Sequence, residues 1–321
     1  MKQTATLGIL AAMVALWPAF APAQQFPTRP MRLVVAFQPG GGTDIVSRMV
    51  ATRLGAALGQ QVVVDNRPGA DGLIGTELAA RATPDGYAMF VGTCGNLAIN
   101  PSLYPNAPFK IARDFAPVTQ LVTVDMMLTV YPTLPVKSVK DLVALAKAKP
   151  GQLIFASTGT GGIPHLAMEL LNHLAGTTMV HVPYKGGSPA LVALTGGHVP
   201  MLVQSMVQGL RVVQAGKLRA IAILSPKRNP LLPDLPTVAE TLPGFDATNW
   251  FGMMVPAKTP AAIHKRITSE VVRLLHSGEL RKQLVARGAE PVGNTPKQFA
   301  AFLKSETAKW ARVIEEAKIK R

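Results

Sequence analysis

Cysteine is almost absent from this sequence, because Cys94 is the only one in 321 residues. An internal disulfide is therefore excluded, and no Cys/His spacing indicates a metal site. A lone thiol is most often a small buried hydrophobe, so we assign Cys94 no chemistry. A chain of this length does not need disulfides, since it is long enough for two domains with a core each.

Long apolar runs are also scarce. The run over residues 7–20 is too short for a comfortable membrane span, and Pro18 interrupts it. It follows a lysine and precedes small residues, which is the order typical of an export signal. We therefore predict a signal peptide over residues 1–23, cleaved after Ala23, and an exported mature protein. No cysteine stands at that junction, which argues against a lipid anchor.

Runs of like charge are missing, although the chain is basic. The formal net charge is +15, and removal of the predicted signal peptide takes away one lysine and leaves +14. The positive residues are scattered, without a basic–aromatic motif. We therefore predict no nucleic-acid partner, and the charge fits the attraction of anionic solutes or simply solubility.

Familiar catalytic and nucleotide-binding motifs are missing as well. The sequence has no G-x-G-x-x-G spacing, no Gly-Lys-Ser/Thr loop, no G-x-S-x-G elbow and no H-E-x-x-H helix. Asp44, His165 and a loop serine could in principle assemble a triad, but nothing in the sequence indicates one. We predict that the protein is not an enzyme and binds no cofactor or metal. An export signal in place of a helix-turn-helix argues against a transcription regulator's effector domain.

What the sequence contains, three times, is a strand, a glycine-rich polar loop and a helix. In the first instance residues 33–37 have the pattern of a strand, residues 39–44 that of a loop and residues 45–58 that of a helix. The first N–H groups of such a helix are unpaired, and glycine lets an anion approach them closely. A plain turn with Thr43 as the N-cap would look the same, so the repetition of the pattern carries the argument.

The second loop, residues 157–162, and the third, residues 183–188, also lie between a strand and a helix. Residues 92–96 form a further small polar loop at the end of a strand. In sheets built from alternating strands and helices, ligands bind beyond the carboxyl ends of the strands. We therefore predict that these loops converge on one cleft.

The alternation of strands and helices predicts an α/β fold with parallel-rich sheets covered by helices on both faces. Residues 121–130 and 247–255 have the pattern of long extended segments, which we predict to be crossings between two lobes. Lobe 1 then comprises residues 24–124 and 247–321, and lobe 2 comprises residues 125–246. The amphipathic helices predicted near the C-terminus return to lobe 1 as surface helices.

Motifs along nearly the whole mature chain resemble those of one known family. They include Pro-Gly-Gly-Gly-Thr-Asp at 39–44, Asn-Arg-Pro-Gly-Ala at 66–70, Pro-Asp-Gly-Tyr at 84–87, Ala-Ile-Asn-Pro-Ser-Leu-Tyr at 98–104, Val-Pro-Tyr-Lys-Gly-Gly at 182–187, Ala-Gly-Lys-Leu-Arg-Ala at 215–220 and Leu-Pro-Thr-Val-Ala-Glu at 235–240. Through these motifs the chain resembles the Bug-type solute receptors, the periplasmic binding components of tripartite tricarboxylate transporters.

The resemblance implies a two-lobed periplasmic binding protein of type II, which closes on its ligand like a Venus flytrap. It implies a small carboxylate held in the interlobe cleft by backbone N–H groups, small hydroxyls and waters, without an arginine clamp. The carboxylate would be delivered to the membrane subunits of a tripartite tricarboxylate-type transporter. A periplasmic sensor that presents the ligand to a membrane signalling partner is an alternative that the sequence leaves open. We expect a periplasmic monomer.

Two departures from the family's pattern concern the ends of strands. The family often has Ser-Gly-Thr where residues 94–96 are Cys-Gly-Asn. It often has aspartate where this chain has Gln204, whose neutral amide cannot form an ion pair with an ammonium group. The sequence therefore favours a ligand other than an amino acid.

The predicted ligand-binding residues all lie in the loops or at strand ends. They are Gly40, Gly41, Gly42, Thr43, Asp44, Thr93, Asn96, Ser157, Thr158, Gly159, Thr160, Gly161, Gly162, His165, Tyr184, Lys185, Gly186 and Gln204. Some of them have a structural alternative. Asp44 can simply favour the helix N-terminus, His165 can make a structural hydrogen bond, and Lys185 can be solvated. The aromatic residues 250–251 either line the cleft or pack in the core.

Overall fold

The computed structural model describes residues 26–317 and residue 319. The predicted signal peptide, residues 1–23, lies outside this part of the chain, and its cleavage site stays a prediction. The described residues form two β-sheets, each flanked by helices. None of the helices within residues 26–317 has the length and apolar character needed to cross a membrane.

Strands and helices alternate along the chain, as predicted. The first part contains β1 (Met31–Val35), α1 (Gly42–Leu58), β2 (Val62–Asn66), α2 (Leu73–Ala80), β3 (Ala88–Thr93), α3 (Asn100–Leu103), α4 (Ile111–Asp114) and β4 (Phe115–Val124). The middle part contains β5 (Met126–Val130), α5 (Val139–Ala148), β6 (Ile154–Ser157), α6 (Ile163–Ala175), β7 (Val180–Pro183), α7 (Gly187–Thr195), β8 (Met201–Ser205), α8 (Met206–Gln214) and β9 (Arg219–Ile223). The last part contains β10 (Asn249–Pro256), α9 (Ala261–His276), α10 (Gly278–Val285), β11 (Ala289–Pro291) and α11 (Pro296–Glu316).

Local sequence accounts for several helix ends. Ser138 caps the N-terminus of α5, and Thr295 forms a reciprocal capping box with Gln298 at the start of α11. Gly59 and Gly176 adopt the left-handed conformation directly after α1 and α6, which ends both helices.

Each sheet defines one lobe. The six-stranded sheet of the first lobe has the order β11-β4-β10-β3-β1-β2, and the five-stranded sheet of the second has the order β7-β6-β8-β5-β9. Strand β1 is parallel to both of its neighbours, and so is β6. The strands that precede the glycine-rich loops are therefore parallel, as predicted.

Both sheets are nevertheless mixed, because antiparallel strands lie beside the parallel ones. Strand β10 runs antiparallel to β3 and β4, and β5 runs antiparallel to β8 and β9. Both strands enter their lobe from the other lobe, so they begin at the cleft and run away from it. Most strands that begin within a lobe run towards the cleft, in the opposite direction, and β11 is the exception because it is antiparallel to β4.

The chain crosses between the sheets at two points. Asp125 alone separates β4 of the first sheet from β5 of the second. On the return path, the Ala247 N–H donates to the Leu224 carbonyl at 3.0 Å beside the second sheet, two residues before β10 begins in the first. Both crossings fall within the two extended segments predicted from the sequence. The lobe limits, residue by residue, stay a prediction.

The C-terminal helix α11 packs against the first lobe through a buried polar group. Glu306 Oε2 accepts hydrogen bonds from Trp250 Nε1 at 2.8 Å and from Trp310 Nε1 at 3.4 Å. The same oxygen lies 3.6 Å from Cys94 Sγ. Cys94 is fully buried, and burial together with the Glu306 charge raises its pKa well above the usual range. The thiol is thus the small buried hydrophobe that the sequence indicated.

The prediction of a loop at residues 92–96 is wrong. Residues 92–96 were expected to form a polar loop, but β3 continues through Thr93 and a π-helical turn, Gly95–Ile99, follows. The Asn96 side chain closes this turn, because its Oδ1 accepts the Thr93 N–H at 2.7 Å. The apolar residues of the turn, Leu97 among them, are buried, which fixes the segment as packed helix.

Candidate functional site

Four helices begin at one cavity between the lobes. The first turns of α1, α6, α7 and α8 all contribute residues to its lining. None of these four helices has a side-chain cap, in contrast to α5 and α11. Their first N–H groups are therefore not taken up by capping side chains, and their positive dipole ends face the cavity.

The cavity, hereafter the inner cavity, has an empty volume of about 540 Å³ including the space open to solvent. It is lined by Phe37, Gly41, Gly42, Thr43, Thr93, Gly95, Met126, Thr158, Gly162, Ile163, Pro164, Gly187, Ser205, Gln208, Asn249 and Phe251.

No lining residue of the inner cavity carries a charged or titratable side chain. The polar side chains are hydroxyls and amides, and Phe37 and Phe251 supply aromatic walls. No group of three or more His, Cys, Asp or Glu residues in the described part of the chain could hold a metal ion. The arrangement offers hydrogen-bond donors and helix dipoles to an anion, without a cationic side chain.

Glycine is required at this site because the lobes meet there. A Cβ atom at Gly42 would lie 2.4 Å from Ser205 Oγ of the opposite lobe. Across the same seam, Ser188 Oγ donates to the Pro39 carbonyl at 2.8 Å. Gly40 has a positive φ of 79°, which brings this loop into contact with the second lobe.

Asp44 holds the first loop from behind and does not line the inner cavity. Its carboxylate is buried and accepts hydrogen bonds from the Gly40 N–H and from Arg48 Nε, both at 2.9 Å, and from Asn66 Nδ2 at 3.0 Å. Burial alone would raise the pKa of Asp44, but these hydrogen bonds and the Arg48 charge outweigh burial and lower it. This geometry favours the structural alternative for Asp44.

His165 lies beneath the second loop and stacks on His181, with ring centroids 4.0 Å apart. Nδ1 of His165 accepts the Gly161 N–H at 3.2 Å, and Nε2 of His181 lies 2.6 Å from Ser157 Oγ. Burial lowers the pKa of His165 to about 4. Burial and the neighbouring His165 lower the pKa of His181 to about 3. Both rings are neutral at pH 7, and they position the loop rather than line the inner cavity.

An outer chamber extends from the inner cavity along the same cleft. Phe37 and Thr158 line both spaces. The predicted residues Gly159, Thr160, Tyr184 and Lys185 line only the outer chamber.

The structure thus divides the predicted residues into three groups. Those lining the inner cavity are Gly41, Gly42, Thr43, Thr93, Thr158 and Gly162. Those lining the outer chamber alone are Gly159, Thr160, Tyr184 and Lys185. Those lining neither are Gly40, Asp44, Asn96, Ser157, Gly161, His165, Gly186 and Gln204.

Gln204 illustrates the third group. Its Nε2 donates to Thr129 Oγ1 at 3.0 Å, and its side chain lies under α8 against Gly209. It is the next residue, Ser205, that lines the inner cavity. Because Gln204 does not line the cavity, its neutral amide gives no reason to disfavour an amino-acid ligand.

Sequence reasoning missed several lining residues. Ser205 and Gln208 belong to the start of α8, and Asn249 begins β10. The strand–helix junction at Ser205 was a detectable signal, but it lacks the glycines that marked the three loops. Of the two aromatic residues considered, Phe251 lines the inner cavity, whereas Trp250 is buried against Glu306.

The sequence matches a family model described as TctC, tripartite tricarboxylate transporter family receptor, over residues 46–319. Protein BugT of Bordetella pertussis is 37% identical over 326 residues, and the match covers 100% of both chains. The structure of BugD, described as a periplasmic binding protein, has a TM-score of 0.88 at 32% identity and covers 92% of this chain and 99% of its own.

Two further structures contain ligands. R. palustris Rpa4515 with adipate has a TM-score of 0.90 at 35% identity, covering 92% of this chain and 99% of its own. MatC (Rpa3494) from Rhodopseudomonas palustris with bound malate has a TM-score of 0.85 at 31% identity, covering 90% of this chain and 100% of its own. The chain therefore belongs to the tripartite tricarboxylate transporter receptor family, as a Bug-type periplasmic solute-binding protein with a two-lobed α/β fold.

Proposed function

We propose that this protein captures a small carboxylate in the inner cavity and delivers it to the membrane subunits of a tripartite tricarboxylate-type transporter. The observation that carries the proposal is the convergence of four uncapped helix N-termini on a cavity lined by no charged side chain. Each N-terminus is equivalent to roughly half a positive charge, so together they favour an anion over a neutral or cationic solute.

Carboxylate oxygens match the donors of this site. They accept hydrogen bonds from backbone N–H groups and from hydroxyls such as those of Thr43, Thr93 and Ser205. The adipate and malate bound by the two structural relatives support the same ligand class. The aromatic walls and Met126 suit the apolar carbon chain of such a ligand.

We further propose that the lobes, with the limits predicted from the sequence, close around the ligand by bending at the two crossings. Closure excludes water and thereby strengthens the hydrogen bonds to the carboxylate. The contacts between the first and third loops, including the hydrogen bond from Ser188 to Pro39, support a closed arrangement. In this proposal the protein acts as a periplasmic monomer and requires neither a cofactor nor catalysis.

A thermal-shift screen of the mature protein tests the ligand class. The panel contains di- and tricarboxylates, aromatic carboxylates, amino acids and neutral sugars. A ligand that binds only the folded state raises the melting temperature, and at 100 times its Kd it adds about 2.7 kcal/mol of stability. We expect one or a few carboxylates to raise the melting temperature. A shift by sugars or cations alone would overturn the proposal.

A further inference from the structure

A second groove crosses the seam between the lobes, outside the ligand cleft. Its empty volume is about 900 Å³ including the space open to solvent, and α1, α8 and α10 contribute to it. It is lined by Met49, Met206, Val207, Leu210, Arg211, Gln214, Gln283, Ala286 and Arg287. We call it the seam groove. Its floor is apolar, and its two charged residues are both arginines.

The seam groove is physically linked to the inner cavity through one helix. The first turn of α8 contributes Gln208 to the cavity, and a different side of the same helix lines the groove. The opposite wall belongs to the first lobe. A Cβ atom at Gly288, just after α10, would lie 2.6 Å from Met206, so the two walls are tightly packed. A change in the angle between the lobes must therefore change the shape of the groove.

The two arginines of the seam groove are free to form ion pairs with a partner. Within residues 26–317, neither Arg211 nor Arg287 forms an ion pair, whereas Arg273 on α9 and Arg281 on α10 are each paired with a glutamate. Arg211 comes from the second lobe and Arg287 follows α10 of the first, so a ligand that contacts both must span the seam. Carboxylates complement these guanidinium groups, and an apolar side chain complements the floor.

We propose that the seam groove is the docking site for an acidic segment, with an apolar anchor residue, of a membrane-embedded protein partner. This inference rests on the proposed function, since it names the surface through which the loaded receptor is recognised. A concave groove between helices admits a polypeptide segment, whereas a flat bilayer surface does not reach its floor. Because both lobes form the groove, the partner binds the closed, ligand-bound form more tightly.

In-cell photo-crosslinking tests the proposal. A photoreactive amino acid replaces Gln214 or Gln283 at the rim of the groove in the full-length protein, and Lys147 on α5 serves as a control position. Cells of the natural host are irradiated with and without the carboxylate identified by the thermal-shift screen. We expect both rim positions, and not position 147, to crosslink to one integral membrane protein, with a higher yield when the carboxylate is present.

Reversing the charge of the two arginines tests whether they attract the acidic segment. The double variant Arg211→Glu, Arg287→Glu should lower the crosslinking yield at least about tenfold, because its rim repels an acidic segment. Arg266 on α9 is exposed and forms no ion pair with another described residue, so it gives the matched control, and Arg266→Glu should leave the yield unchanged. Purified double variant should bind the carboxylate as tightly as the parent protein, since neither arginine lines the cleft.

Crosslinks to a second copy of this chain or to lipid alone would overturn the docking proposal. So would a yield that charge reversal leaves unchanged, or a yield no higher than at position 147. The proposed function fails in a different way, namely if the purified parent protein binds no carboxylate. Even with that result, a crosslink to a membrane protein and its loss on charge reversal could still be measured.

Discussion

At the scale of single residues, Gly42 controls how closely the lobes approach. It is the first residue of α1, and a Cβ atom there would lie 2.4 Å from Ser205 Oγ and 3.8 Å from Phe251 Cζ. The absence of a side chain thus serves two purposes: it lets the opposite lobe close, and it exposes the helix N-terminus to the ligand.

Gly42→Val should therefore weaken carboxylate binding at least about tenfold, because the new side chain overpacks the seam. The free energy of unfolding should change by less than about 1 kcal/mol, since an open arrangement of the lobes relieves the clash. Titration calorimetry and urea denaturation measure the two quantities. Gly278→Val is the matched control, because Gly278 is the first residue of α10 and nothing lies within 4 Å of the added Cβ. Parent-like affinity of the Gly42 variant would contradict the role assigned to this residue.

His165 and His181 make the protein sensitive to acid. Their pKa values fall from 6.5 to about 4 and about 3 in the folded protein. Below pH 6.5 the unfolded chain takes up protons that the folded chain does not, so the stabilising effect of the neutral pair is present above pH 6.5. It is lost as the pH falls towards the folded pKa values, with a slope of at most about 1.4 kcal/mol per pH unit for each histidine.

The variant His165→Gln, His181→Gln should show a flatter dependence of stability on pH between about 4 and 6.5. Glutamine does not titrate, and its side-chain oxygen can still accept the Gly161 N–H that His165 accepts in the parent. Urea denaturation at pH 7.5, 6 and 5 measures the slope. Parallel slopes for the parent and the variant would show that other groups cause the acid sensitivity.

Residue roles were harder to predict than residue positions. Strand β8 is buried along its whole length, so no alternation of apolar and polar residues reveals which side chains face the cleft. Ser205 lies in the cleft and Gln204 does not, and only the structure separates them. The structural alternatives considered for Asp44 and His165 fit their contacts, because both side chains hold loop N–H groups from behind.

At the scale of elements, glycine-rich loops between strands and helices were detectable because glycine alone tolerates the close approach and the positive φ at Gly40. The start of α8 serves the same cavity with Ser205 in place of glycine, and it escaped detection for that reason. The π-helical turn at Gly95–Ile99 was missed because its small polar residues suggest a loop. Its helical form depends on the tertiary burial of its apolar residues.

The docking of α11 gives a prediction at this scale. Glu306→Ala leaves the Trp250 and Trp310 N–H groups without their buried acceptor, so we expect a loss of about 2–4 kcal/mol in the free energy of unfolding. Glu306→Gln keeps an acceptor oxygen and should lose less than half as much. Glu315→Ala, an exposed glutamate on the same helix, should change stability by less than about 0.5 kcal/mol. Urea denaturation distinguishes these outcomes, and equal losses for Glu306→Ala and Glu315→Ala would contradict the role of the buried carboxylate.

At the scale of the whole molecule, the alternation of strands and helices was sufficient to predict two α/β lobes, and the two long extended segments located the crossings. The order and direction of the strands could not be predicted, because β4, β5 and β10 are placed by contacts between distant parts of the chain. The antiparallel directions of β5 and β10 follow from the double crossing itself, which periodicity within a single strand does not encode.

The central claim is that helix N-termini, rather than charged side chains, hold a carboxylate between the lobes. Isothermal titration of the mature protein with the best carboxylate of the screen, and with the neutral amide of the same carbon skeleton, tests this claim most directly. We predict saturable binding of one carboxylate per chain, a Kd at least about tenfold weaker in Gly42→Val, and no measurable binding of the amide. Equal binding of the amide and the carboxylate, or no binding of any carboxylate, would contradict the account.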